Sequence, residues 1–188
     1  MLALGTEAPE FTLPDVVSGH KFSLGDFADK KALLVMFLSN HCPYVKHVRG
    51  ELARIGTDYQ QSDLGIVAIC SNDADNHPDD SPEMMKLEAE TQGYVFPYLH
   101  DEDQTVAAAY SAVCTPDFFL FDADRKLVYR GRLDDSRPNS ETPLTGRDLR
   151  VAIDAALTGT EQAYQQYPSM GCSIKWKPGN EPAYFLQS

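Results

Sequence analysis

Leu33-Leu34-Val35-Met36-Phe37-Leu38-Ser39-Asn40-His41-Cys42-Pro43-Tyr44-Val45 is the stretch on which the reading of this chain turns. Its apolar first half fits a strand buried on both faces of a sheet. After Pro43, a residue suited to a first helical turn, Val45, Val48, Leu52, Ile55 and Tyr59 recur at intervals of three and four, the spacing of a helix lying on that sheet. Cys42 therefore stands where a strand hands over to a helix N-terminus. The unpaired N–H groups and partial positive charge of such an end favour thiolate over thiol. A lone cysteine at a strand end is often only a small buried hydrophobe, but polar Asn40 and His41 beside this one favour chemistry. The position of a close second cysteine is taken by Val45, so a resolving thiol must be Cys70, Cys114 or Cys172.

Working outward, residues 11–24 read as a small hairpin turning at Ser18-Gly19. Ile66-Val67-Ala68-Ile69-Cys70 reads as a second buried strand, in which Cys70 is core packing. The segment Ser71 to Asp80, rich in aspartate, reads as a solvated loop. Ser81-Pro82-Glu83 supplies a cap, a first-turn proline and a first-turn acid for a helix running to about Thr91, before Gly93. A short strand at 96–99 and a helix at 104–112 follow. Asp117 to Phe121 and Leu127 to Gly131 form a hairpin across the turn Asp122-Ala123-Asp124-Arg125, and a last helix starts at Thr145 and ends near Gly159. Strands alternating with helices, then a hairpin and a final helix, imply a mixed α/β sandwich. Residues 1–159 form its domain; 160–188 form an extension rich in Pro and Gly, with an apolar island at Ile174-Lys175-Trp176.

The 188 residues, 43% of them hydrophobic, suffice for one well-buried domain. A formal net charge of -12 repels nucleic acid and anionic membranes, which excludes both as partners. The N-terminus lacks a basic region followed by a sustained apolar one, and no stretch approaches the ~20 apolar residues of a membrane span. A cytoplasmic location is the expectation. Four scattered cysteines are too few for a disulfide scaffold and lack zinc-ligand spacing, and the five histidines are dispersed, so neither a metal nor an organic cofactor is implied.

Three segments carry a family resemblance: Asn40 to Val45; Thr115-Pro116-Asp117-Phe118-Phe119-Leu120-Phe121-Asp122; and Gly171-Cys172-Ser173-Ile174-Lys175-Trp176-Lys177-Pro178-Gly179-Asn180-Glu181-Pro182. Together they resemble the thioredoxin-like redoxin superfamily, of the alkyl hydroperoxide reductase/thiol-specific antioxidant type. Within it they look like a bacterial branch of thiol-disulfide isomerases or oxidoreductases. The resemblance implies a thioredoxin-like fold: a central mixed sheet flanked by helices, with an N-terminal hairpin and a C-terminal extension packed on or near the active site. It also implies that Cys42 is an exposed attacking thiol of lowered pKa, that Pro43 fixes the first turn, and that His41 and Tyr44 border the site. Pro116 is then a cis-proline whose preceding residue, Thr115, pairs with an incoming peptide and contacts substrate. Cys172, in the tail motif, ranks ahead of Cys114 as the resolving cysteine.

The activity so implied is disulfide exchange, with protein or small-molecule disulfides and thiols as partners and an external thiol as reductant. A peroxiredoxin-like thiol peroxidase with an antioxidant role is the alternative. Ser39 fills the hydroxyl position of the peroxidatic motif Pro-x-x-x-Thr/Ser-x-x-Cys, but Val35 stands where its proline belongs, and its arginine would have to be Arg130 or Arg132. A third possibility is a protein that keeps the fold for binding without catalysis.

Overall fold

A computed structural model describes residues 2–160 and 165–185. The quoted apolar run forms β3 (Ala32–Phe37), every residue of which is buried. It is the middle strand of a five-stranded sheet. β4 (Leu64–Cys70) lies parallel to it on one side, followed by β5 (Tyr98–His100); β7 (Asp117–Phe121) lies antiparallel on the other, followed by β8 (Leu127–Gly131). Two shorter ladders complete the strands. β1 (Thr12–Pro14) pairs with β2 (Lys21–Ser23) as the expected N-terminal hairpin, and β6 (Cys114–Thr115) pairs antiparallel with β9 (Cys172–Ser173) of the tail.

The two-residue period of β3 divides the core. Leu34 and Met36 face a layer built from Val45, Val48, Leu52 and Ile55 of α1 (Pro43–Asp58) and Leu149, Ala152 and Ile153 of α4 (Arg147–Thr158). Leu33, Val35 and Phe37 face Leu13, Phe27, Tyr110, Ile174 and Trp176, with Val106 of α3 (Thr105–Ala109). Glu51, 2% exposed, ties the two helices of the first layer through Arg150 at 2.7 Å.

Most elements lie close to their expected places, and their ends have local causes. α2 (Pro82–Gln92) starts at Ser81, whose side chain accepts the Met84 N–H at 3.4 Å, and stops at Gly93 in the left-handed region. The hydroxyl of Thr145 accepts the Arg147 N–H at 3.3 Å ahead of α4. α3 is shorter than the expected 104–112 because Ser111, at φ 50, breaks the helical path.

The aspartate-rich segment after β4 differs from expectation. Ser71, Asn72 and Asp73 are buried, and Asp80 is fully enclosed instead of solvated. Acidic composition predicts exposure; the structure instead supplies Asp80 with donors from residues 39–40 and 72.

The tail from residue 165 returns to the domain. Ile174 and Trp176 enter the second core layer, a burial worth roughly 2–3 kcal/mol for each large apolar side chain. The amide of buried Gln104 grips the tail at both ends, accepting the Lys177 N–H at 2.8 Å and donating to the Lys175 carbonyl at 2.9 Å.

One buried charge makes a stability prediction. Asp117 opens β7 at 7% exposure, and burial pushes its carboxyl up to about 6, with partial relief from Ser169, the Val113 and Phe118 N–H groups and Arg130. A raised acid pKa contributes stability that is complete below the unfolded value near 4 and is lost as pH rises through about 6. Asp117→Asn is expected to stabilise the fold by up to ~3 kcal/mol at pH 7.5 and hardly at all at pH 4. Urea unfolding at the two pH values checks it; equal effects at both would assign the change to packing.

Candidate active site

Cys42 is the N-cap of α1, with Pro43 at the first helical position and no acidic residue in the first turn to neutralise the helix end. Its sulfur approaches the Thr115 carbonyl, to which the thiol donates at 3.0 Å across 73 residues of sequence. The Thr115–Pro116 peptide bond is cis. Across the small ladder, Thr115 stands directly opposite Cys172, so the side chains of these two residues share one face. Cys114 pairs with Ser173 one position along, and its sulfur lies 3.7 Å from the Pro116 carbonyl.

Cys42 is 0% exposed, whereas the resemblance implied an exposed thiol. It belongs to the core layer beneath α1, and the tail packs against it through Cys172. Gly171 and Cys172 lie across the site so closely that a Cβ on Gly171 would come within 2.0 Å of the Thr115 carbonyl oxygen. Only glycine fits there.

The three nearby thiols are electrostatically unequal. Burial by itself pushes the Cys42 thiol up, but the Thr115 hydroxyl, the N–H groups of Val45 and Cys172 and the Cys172 thiol all favour its thiolate, and the balance lies below the ordinary thiol value. Cys172, partly exposed, is pushed up to about 11 by burial, by donation to Cys42 and by the charge there. Cys114 is driven well above the ordinary value by burial, Asp117 and the other two cysteines. Cys42 is thus the most readily ionised of the three, with the Cys172 thiol beside it as a donor to its sulfur. The Thr115 hydroxyl, buried and without a partner of its own, is free to donate to a sulfur anion. Cys70 lies in β4 with its pKa raised by burial, as a core residue does.

Sequence reasoning missed the group that organises the loop before Cys42. The enclosed Asp80 carboxylate accepts the Asn40 N–H at 2.6 Å, the Ser39 hydroxyl at 3.0 Å and an Asn72 side-chain N–H at 2.7 Å, and lies 2.7 Å from His41 Nδ1. Asn72 in turn accepts the Lys175 N–H at 2.8 Å. One carboxylate therefore links the loop that positions Cys42 to the tail that positions Cys172. Asp80→Ala would strand these buried donors, so it is expected to lower unfolding free energy by ~2–4 kcal/mol, checked by urea titration. An unchanged midpoint would show that water replaces the carboxylate.

The remaining expected site residues lie around this pair. His41 is held by Asp80 and stacks on His77, ring centroids 5.1 Å apart. Tyr44 and Pro116 line a narrow cleft of ≈ 20 Å³ together with His47 and Met170, room for about one water molecule. Both arginines considered for a peroxidatic site have other partners: Arg132, which also lines this cleft, is paired with Asp148 at 2.7 Å, and Arg130 donates to the Leu2 carbonyl. The Ser39 hydroxyl is committed to Asp80.

Comparison with known proteins bears on the family and the fold. The model of the AhpC/TSA family matches residues 4–130. The crystal structure of an uncharacterized conserved protein from Geobacillus kaustophilus superposes with a TM-score of 0.93 at 54% identity, covering 95% of each chain. The thioredoxin domain of a thiol-disulfide oxidoreductase from Bacteroides vulgatus shares the fold, with a TM-score of 0.59 at 24% identity over 69% of this chain and 89% of that one. A Mycobacterium tuberculosis protein named "Putative peroxiredoxin" is 28% identical over 111 residues, 59% of this chain and 65% of that protein. The chain thus spans under two thirds of the length of the curated relatives it matches.

Proposed function

This chain belongs to the AhpC/TSA family, and we propose that within it Cys42 and Cys172 work as a dithiol–disulfide couple in a thiol-disulfide oxidoreductase. The carrying observation is the convergence of Cys42, at a helix N-terminus, with Cys172, opposite Thr115, around one buried carbonyl. In the first step the Cys42 thiolate attacks one sulfur of a disulfide, forming a mixed disulfide and releasing one thiolate, which takes a proton from solution. In the second, Cys172 gives up its proton and its thiolate attacks the Cys42 sulfur. The Cys42–Cys172 disulfide forms and the second substrate thiolate leaves, so the two protein thiols supply the two electrons that reduce the substrate. An external dithiol, or two monothiols, returns both cysteines to thiols and is itself oxidised to a disulfide.

The peroxidase reading draws on the curated relative's name. It is weaker here because Val35 stands in place of the motif's proline and Ser39, Arg130 and Arg132 are each bound to another partner. Single-turnover mixing of the reduced protein with 2-hydroxyethyl disulfide or with hydrogen peroxide, quenched by alkylation, separates the two. Faster loss of the free Cys42 thiol with the disulfide is the expected outcome; fast peroxide oxidation beside inertness to the disulfide would overturn it.

A further inference from the structure

We propose that β9 serves as a built-in occupant of the backbone edge beside Cys42, and that the substrate is consequently a low-molecular-weight disulfide and not a polypeptide one. This rests on the reading of Cys42 and Cys172 as the redox couple. A polypeptide bringing a disulfide to the Cys42 sulfur has to lie along the backbone at Thr115, whose carbonyl is 3.0 Å from that sulfur. The natural way for an extended chain to do so is to add as a strand to β6. That edge is taken by the protein's own chain, in the register Cys114 to Ser173 and Thr115 to Cys172. Gly171 is packed against the Thr115 carbonyl with no room even for a methyl group.

The occupant is fastened on both sides of the site. Upstream, the Arg132 N–H donates to the Tyr167 carbonyl at 3.0 Å, and the Ser169 hydroxyl donates to the Gly131 carbonyl at 2.6 Å. Downstream, Ile174 and Trp176 are in the core, the Lys175 N–H is held by Asn72, and the Lys175 carbonyl accepts from the Asp73 N–H and from Gln104. Clearing the edge for a polypeptide requires withdrawing both apolar side chains and breaking these bonds. A small disulfide requires only that residues 170–172, between the two anchors, shift locally over a site whose Cys172 is already partly exposed.

The test measures second-order oxidation of the reduced protein by 2-hydroxyethyl disulfide and by a flexible disulfide-bonded peptide, each rate divided by that of the same disulfide with dithiothreitol. A ratio favouring the small disulfide by roughly 100-fold is expected, and Trp176→Ala, which loosens the tail, should raise the peptide rate at least about tenfold while changing the small-disulfide rate less than about threefold. Equal normalised rates in the wild type would overturn the proposal, as would a Trp176→Ala protein that folds, by circular dichroism, and leaves the peptide rate unchanged. Inertness to both disulfides would instead overturn the redox reading itself, and the proposal with it. A selective oxidation that leaves Cys172 unpaired would sustain the size selection while removing Cys172 from the couple.

Discussion

Cys42→Ser is expected to abolish reaction with disulfides, a loss of roughly 10³-fold or more, while leaving the fold intact. Serine is close in shape to cysteine, and its hydroxyl can donate to the Thr115 carbonyl as the thiol does, so the buried position stays satisfied. What disappears is the only thiol whose surroundings hold it below the ordinary pKa. Single-turnover kinetics with 2-hydroxyethyl disulfide, alongside urea unfolding, measure the two halves of the claim. Retained exchange within about tenfold of wild type would mean that another cysteine is the nucleophile.

Cys172→Ser should separate the two chemical steps. Attack by Cys42 persists, but the mixed disulfide has no internal partner and becomes the end state, visible in the intact mass as one added substrate thiol. Turnover with an external monothiol should fall by roughly 10²-fold, because an adjacent thiol acts at an effective concentration far above any added reductant. The variant also reports on the anion. The Cys172 thiol stabilises the Cys42 thiolate, so exchanging it for a serine hydroxyl shifts the pH profile of Cys42 alkylation. A profile identical to wild type would show that the two sulfurs do not interact.

The parts of this site legible in the sequence are those encoded locally. The change from a continuous apolar run to a three-and-four spacing placed Cys42 at the start of α1, and the Thr115-Pro116 segment ahead of β7 lay where the resemblance located it. The parts that were not legible depend on distant segments. Asp80 sits in an acidic stretch whose composition reads as solvated, and only the arrival of donors from residues 39–41 and 72 makes its burial tolerable. Cys42 carries every local sign of an accessible thiol. The tail segment packed beside it comes from more than 100 positions downstream, and nothing near Gly171 announces that a carbonyl lies where its side chain would be. Cys172 and Cys114 were both open choices as partner, because pairing across β6 and β9 is a register and a register has no signature in the two short segments that form it.

The most direct measurement of the central claim is peptide mapping by mass spectrometry after stoichiometric oxidation of the reduced protein with 2-hydroxyethyl disulfide. A single intramolecular disulfide joining Cys42 to Cys172 is expected, with Cys70 and Cys114 recovered as free thiols. A Cys42–Cys114 disulfide, or a stable mixed disulfide on Cys42 with Cys172 left free, would contradict it.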